Sequence, residues 1–193
     1  MYPRLTSELR IRNMRVRNRI MLAAMGTELC EADGCCGEPL IAYYEARARG
    51  GTGLVMLETT SVSWPAGASM PRMVGISGEA QLPGLQAFTE RMHRHGAMAG
   101  VQLNHCGKVA TEDRVQGRPM LVPSVPHFDQ GDMFEALTRA EIASFVGGAS
   151  QPVYQVMTQQ DIDWLLGQFA AAAALAVRAG FDCVEIHAGH GYV

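Results

Sequence analysis

Four apolar runs recur along the chain, each separated from the next by helical periodicity, and this alternation limits the fold more than any other feature. The runs are NRIMLAAM (residues 18–25), GLVMLETT (53–60), AMAGVQLNH (97–105) and FDCVEIH (181–187). Each is apolar over consecutive positions, as in a strand buried on both faces. Between the first two, residues 38–50 place Leu40, Tyr43, Tyr44 and Ala48 on one helical face. Leu82, Leu85, Phe88 and Met92 do the same over residues 81–95, with Gly96 standing where a C-terminal cap belongs. Ile162, Leu165, Leu166, Phe169, Ala173 and Ala176 form a third stripe over residues 158–179, which Thr158 can cap and Gly180 can end. The resulting order, β-α-β-α-β-(insert)-α-β, predicts an α/β fold with parallel strands and right-handed crossovers. An open doubly wound sheet and half of a (β/α)8 barrel both satisfy it. No linker divides the chain, so residues 1–193 are read as one domain.

The insert runs from about residue 106 to residue 157, too long for an ordinary connection, and is expected to be a functional excursion or small subdomain. Within it TRAE (138–141) matches a capping box and predicts a short helix.

Hydrophobic residues make up 48% of the chain and charged residues 18%, a balance that builds a core rather than a disordered segment. A net charge of −3 gives no electrostatic reason to expect nucleic acid or an anionic membrane as partner. The basic start, MYPRLTSELRIRNMRVRNR, is not followed by the apolar core of a secretory signal, and FAAAAALAVRAGF is too short to span a bilayer. A cytoplasmic location is the expectation. The five cysteines, an odd number without a CxxC pair, read as reduced thiols, and Cys30, Cys35 and Cys36 fit no zinc spacing, so no metal is assigned.

In parallel α/β folds chemistry gathers at the carboxyl ends of the strands. Those ends carry Ala24, Met25, Gly26 and Thr27, then Glu58, Thr59 and Thr60, then Gln102, Asn104 and His105, then His187, His190 and Tyr192. Small residues at the first end let a flat ligand approach backbone. The Gln102 amide both donates and accepts, and two imidazoles with a phenol can hold and protonate an oxygen or carbon centre. Taken singly, His187 is as readily a satisfied structural histidine, and a phenol with a pKa of about 10 is not by itself an acid. A metal hydrolase built on His105, His187 and His190 is a rival. Neither GxGxxG after a strand nor GxxxxGK[ST] occurs, and GGTG at residues 50–53 precedes its strand, on the wrong end for phosphate.

NRIMLAAMGT, YYEARARGGTGLVMLETTSV, GVQLNHCGK, VPS and AGFDCVEIHAGHGYV, in that order, resemble successive motifs of the old yellow enzyme family. These are FMN-dependent ene-reductases on a (β/α)8 barrel, and the resemblance runs from about Pro3 to Val193. The long insert is similar to the branch holding 2,4-dienoyl-CoA and 2-enoate reductases. The resemblance implies that Ala24, Met25 and Gly26 lie under the flavin, with Thr59 and Gln102 at its pyrimidine edge. It implies that His187 and His190 bind a substrate carbonyl and that Tyr192 donates the proton. It further implies NAD(P)H as reductant and an activated alkene (enoate, enone or dienoyl-CoA) as substrate.

Three positions depart from the family pattern: Ala24 where proline is common, Gly26 where Thr, Cys or His tunes the flavin, and Lys108 for arginine. A full barrel takes about 250 residues. The resemblance therefore covers the first four β/α units, a half-barrel with a long insert after its third strand. Later strands would carry the FMN phosphate site and the cysteines of any 4Fe-4S cluster. The half-barrel is expected to pair with a second copy or a complementary C-terminal half. The alternative is a non-catalytic truncated product that binds no FMN alone.

Overall fold

The computed structural model describes residues 2–126 and 152–193. The expected helix at residues 138–141 falls outside them.

A short antiparallel hairpin, β1 (Leu9–Ile11) and β2 (Met14–Val16), opens the chain, where sequence alone showed only a basic start. Strand β3 (Met21–Leu22) follows, then helix α1 (Glu38–Arg49) and β4 (Leu54–Ser61). A two-residue strand, β5 (Val74–Gly75), precedes helix α2 (Leu82–Arg94) and β6 (Met98–Asn104). The insert supplies the short helix α3 (Thr111–Val115) and the parallel pair β7 (Met120–Val122) and β8 (Tyr154–Val156). Helix α4 (Gln159–Arg178) and β9 (Cys183–Ile186) complete it.

The main sheet is parallel in the order β3-β4-β6-β9, with β5 added beside the end of β4. Each strand lies next to its predecessor, and the order never reverses. An open doubly wound sheet reverses at a switch point. Sequential winding with right-handed crossovers instead sends every crossover helix to the same face, as in a barrel wall. The expected strand over residues 18–25 is shorter here: only Met21 and Leu22 pair with β4, and the chain then leaves the sheet.

The helical layer packs through Leu40 and Tyr44 of α1, Leu85, Phe88 and Met92 of α2, and Leu175 and Ala176 of α4, against Val55, Leu57, Val101 and Leu103 of the sheet. Tyr44 meets Phe88 edge-on at 5.3 Å and Phe88 stacks on Phe181 at 5.8 Å, joining α1, α2 and the approach to β9. The Arg17 guanidinium donates to the carbonyls of Ala48, Thr52 and His95. It thereby ties the C-terminal end of α1 to that of α2.

Local signals place the helix ends. Pro39 sits in the first turn of α1, with Glu38 beside it and Arg47 and Arg49 in the last turn. Gly96 and Gly180, with φ of 70° and 86°, make the left-handed exits of α2 and α4. Thr158 caps α4 in a reciprocal box. Its hydroxyl accepts from the Asp161 amide at 3.2 Å, and the Asp161 carboxylate accepts from the Thr158 amide at 2.8 Å. Among the described residues no helix is long and apolar enough to cross a membrane. Thr158→Ala is expected to lower unfolding free energy by about 1 kcal/mol in urea titrations, with Thr158→Ser close to the unaltered chain.

Candidate functional site at the carboxyl end of the sheet

Three polar side chains lie level across adjacent strands. Thr59 of β4 is in register with Gln102 of β6, which is in register with Glu185 of β9. The Thr59 hydroxyl donates to Gln102 Oε1 at 2.9 Å, and Gln102 Nε2 donates to Glu185 Oε1. The resemblance puts Thr59 and Gln102 at the same edge of a ligand without predicting their mutual bond, and Glu185 was missed. Its two-residue spacing from His187 marks it as sharing that histidine's side of the strand, the signal that would have found it.

Beyond β9 the ladder continues for one residue, as the His187 amide donates to Leu103 O at 3.0 Å. A tight turn follows. The Tyr192 amide returns to Gly189 O at 3.2 Å, with His190 and Gly191 both left-handed at φ of 56° and 69°. The turn folds His187, His190 and Tyr192 into one group, with ring centroids 4.7 Å apart for His187–Tyr192 and 5.0 Å for His187–His190. A side chain at Gly191 would meet Lys108 Nζ within 2.7 Å, so that ammonium lies against the turn.

Hydrogen bonds order the protons when both imidazoles are neutral. The Gly189 amide donates to His187 Nδ1 at 3.2 Å, so His187 carries its proton on Nε2. That proton then faces His190 Nδ1 at 3.1 Å, which leaves His190 with its own proton on Nε2. In this arrangement the pair offers one free N–H, on His190. For both rings to donate to a single oxygen, the bond between them opens. Tyr192 is half-buried and packs with Trp64 and Met70 against Ala68, Met73, Cys106, Ala110 and Met120. Burial raises its phenol pKa, and the nearby Cys106 adds to the shift.

Ala24, Met25 and Gly26 leave the end of β3 as a partly open segment, with Met25 59% exposed. A Cβ on Gly26 would come within 2.5 Å of Met70 Cε. Met70 packs on the same apolar cluster as Tyr192, so Gly26 and Tyr192 flank that cluster at one end of the sheet. Met70 is a second residue that sequence reasoning missed, because it sits in a loop without periodicity.

His105 is not part of this group. It is buried, its Nδ1 accepts from the Gly107 amide at 3.2 Å, and Gly67 packs on its ring. Burial lowers its pKa, against the opposing pull of Asp113. It acts as a satisfied structural histidine, and among the described residues no three His, Cys, Asp or Glu side chains are placed to share a metal ion.

The model of the NADH:flavin oxidoreductase / NADH oxidase family matches residues 5–193. The chain belongs to that family. A NADH oxidase of Thermoanaerobacter brockii is 34% identical over 193 residues, covering 100% of this chain and 27% of the relative. A NADPH dehydrogenase of Listeria monocytogenes is 34% identical over 191 residues, covering 98% of this chain and 49% of the relative. Among solved structures, the old yellow enzyme of Pichia sp. superposes with a TM-score of 0.81 at 25% identity, covering 98% of this chain and 47% of that one. The Zymomonas mobilis homologue gives 0.75 at 28% identity, with 99% and 50% covered. The described fold is therefore that of part of the TIM-barrel old yellow enzymes, and the chain spans 49% of the Listeria relative and 27% of the Thermoanaerobacter one.

The cysteines of this flavin oxidoreductase family member stand apart from its polar row. Cys30, Cys36 and Cys106 are buried, whereas Cys35 and Cys183 are partly exposed. Burial raises all five thiols, Cys30 to about 12, which suppresses the reactive thiolate. Iodoacetamide at pH 8 is expected to label Cys35 and Cys183 slowly in the native chain, and the other three only after urea unfolding, as read by peptide mass spectrometry.

Proposed function

We propose that this chain supplies the substrate-binding wall and the pyrimidine-facing wall of an FMN-dependent, NAD(P)H-linked ene-reductase. The observation that carries the reading is the turn over residues 187–192, which folds two imidazoles and a phenol together one residue beyond the Thr59–Gln102–Glu185 row. The described residues fit a planar ring with polar edges. Gly26 presents backbone without a side chain, and Gln102 keeps a second amide proton beyond the one given to Glu185. Ala24, Met25 and Gly26 would hold the ring's underside, and Thr59 and Gln102 its pyrimidine edge. Once reduced by NAD(P)H, a flavin held there would supply hydride for the β-carbon of an activated alkene.

The chain's own groups handle the oxygen and the proton. The free N–H of His190 donates to the substrate carbonyl, and His187 joins it once their mutual bond opens. Negative charge builds on that oxygen as hydride arrives, so preorganised donors there act mainly in the transition state. Tyr192, held neutral by its raised pKa, delivers a proton to the α-carbon. An enoate, enone or dienoyl-CoA satisfies these roles.

The site calls for further β/α units. Strand β9 is an open edge of the sheet, with Val184 and Ile186 43% and 64% exposed. Beside it an apolar cleft of about 280 Å³ is lined by Ile162, Leu165, Leu166, Phe169, Ile186 and Val193. Exposed edges and apolar faces of this kind are covered in folded proteins. In this reading the chain is the first half of a barrel, with residues 106–157 as the insert after its third strand. A complementary half, or a second copy, completes the ring, and the phosphate site belongs to the later strands of a complementary half.

Reconstitution tests the reading. The chain, alone or with its complementary half, is expected to turn yellow with FMN and show a bound-flavin spectrum, and protein that stays colourless with both would sink the proposal. In the flavin-loaded assembly, Tyr192→Phe is expected to slow alkene reduction roughly a hundredfold while leaving reduction of flavin by NAD(P)H within about twofold. Unchanged alkene turnover removes Tyr192 from the role.

A further inference from the structure

Glu58 is fully buried, and the strand bends to bury it. The β4–β6 register pairs Leu57 with Val101 and Thr59 with Gln102, so Glu58 is the extra residue of a β-bulge. Strict alternation would aim Glu58 away from the face of Leu57, which packs with Tyr44 in the helical layer. A bulge re-aims a side chain. Glu58 instead reaches Tyr44 of α1, whose hydroxyl accepts from the Glu58 amide at 3.1 Å and faces Glu58 Oε2 at 3.3 Å.

The same Oε2 accepts two bonds from Thr27, from its amide at 3.0 Å and its hydroxyl at 2.7 Å. Among the described residues, the bonds of Thr27 are the only hydrogen bonds made by residues 24–28. Glu28, next in line, is held left-handed at φ 57°, a conformation that persists only where the surroundings impose it. The other carboxylate oxygen, Oε1, is buried without a partner among the described residues. Leaving such an atom unpaired is costly, so the carboxylate carries a destabilising term that a neutral side chain of like size would avoid. What it accomplishes is the hold on Thr27.

That hold sets which backbone atom is displayed. Trans peptides point N–H and C=O in opposite directions, and the cis bond among the described residues is Trp64–Pro65. With the Thr27 N–H drawn inward to Glu58, the Gly26 carbonyl is turned to the exposed side. We propose that Glu58 is the positioning residue of the flavin-facing segment, fixing the Gly26–Thr27 peptide so that a carbonyl, not an amide, faces the ring. The proposal rests on the flavin reading above. Glu58 does not touch the ring; it acts through Thr27.

Amide hydrogen exchange and FMN affinity test it together. Glu58→Met keeps the length and loses both acceptors, whereas Glu58→Gln keeps one oxygen for Thr27. The Thr27 amide is expected to exchange at least about tenfold faster in Glu58→Met, with β4 and β6 protected as before, and FMN to bind about tenfold more weakly, a loss in keeping with one or two hydrogen bonds. Glu58→Gln is expected to restore both to within about threefold, and Thr158→Ala, a control for lost stability alone, to leave both unchanged. If Glu58→Met does not fold, Thr27→Val, which loses the hydroxyl's bond to Glu58 and the one it accepts from the Leu29 amide but keeps the Thr27 amide, carries the same comparison with a smaller shift. Unchanged Thr27 exchange, or faster exchange with unaltered FMN affinity, overturns the proposal. An unaltered protein that takes up no FMN, even with its complementary half, overturns the flavin reading instead, and the exchange pattern still decides whether Glu58 sets the peptide.

Discussion

Parallel strands laid down in sequential order put every carboxyl end of the sheet on one side of the molecule, and the site depends on that placement. Residues as distant in sequence as Gly26, Thr59, Gln102 and Tyr192 come to one end of the sheet because β3, β4, β6 and β9 run the same way in the same order. A right-handed crossover leaves little choice about where each helix goes. The helical layer of Tyr44, Phe88 and Leu175 therefore buttresses one face and leaves the other for Thr59, Gln102 and Glu185.

Within that frame, polar groups are organised by a few strong local constraints. The bulge at Glu58 lets one carboxylate tie α1, β4 and the loop after β3 together. The turn after β9 does comparable work with two left-handed residues, and it converts the HxxH spacing into a pair of rings in contact. A hydrogen bond from the Gly189 amide then decides which nitrogen of each neutral ring carries its proton. The carboxyl end of the sheet is thus governed by backbone geometry as much as by side-chain identity. Buried polar groups at such a place are tolerated because the surrounding packing over-determines them.

Much of this was legible beforehand, and what was not has physical causes. The helices α1, α2 and α4 were read to within one or two residues, because apolar spacing, Pro39, Thr158 and the closing glycines all act locally. The first strand was over-extended, since NRIMLAAM is apolar throughout and nothing in it shows that the chain leaves the sheet after Leu22. The hairpin of β1 and β2, the pairing of β7 with β8 and the short β5 escaped notice because each is only two or three residues long. Glu185 and Met70 were missed for different reasons, the one hidden in a strand read as apolar and the other in a loop.

The amino-acid order by itself determined the element types, their succession and the list of groups at the strand ends, because periodicity, capping and turn chemistry act over a few residues. Tertiary structure alone decided between a reversing sheet and a sequential one, since both obey the same local pattern and differ only in which strands pair. It also decided that His105 is a buried structural ring while His187 and His190 share a turn. Burial and hydrogen-bond partners set the role of an imidazole, and neither is a property of the residue's neighbours in sequence.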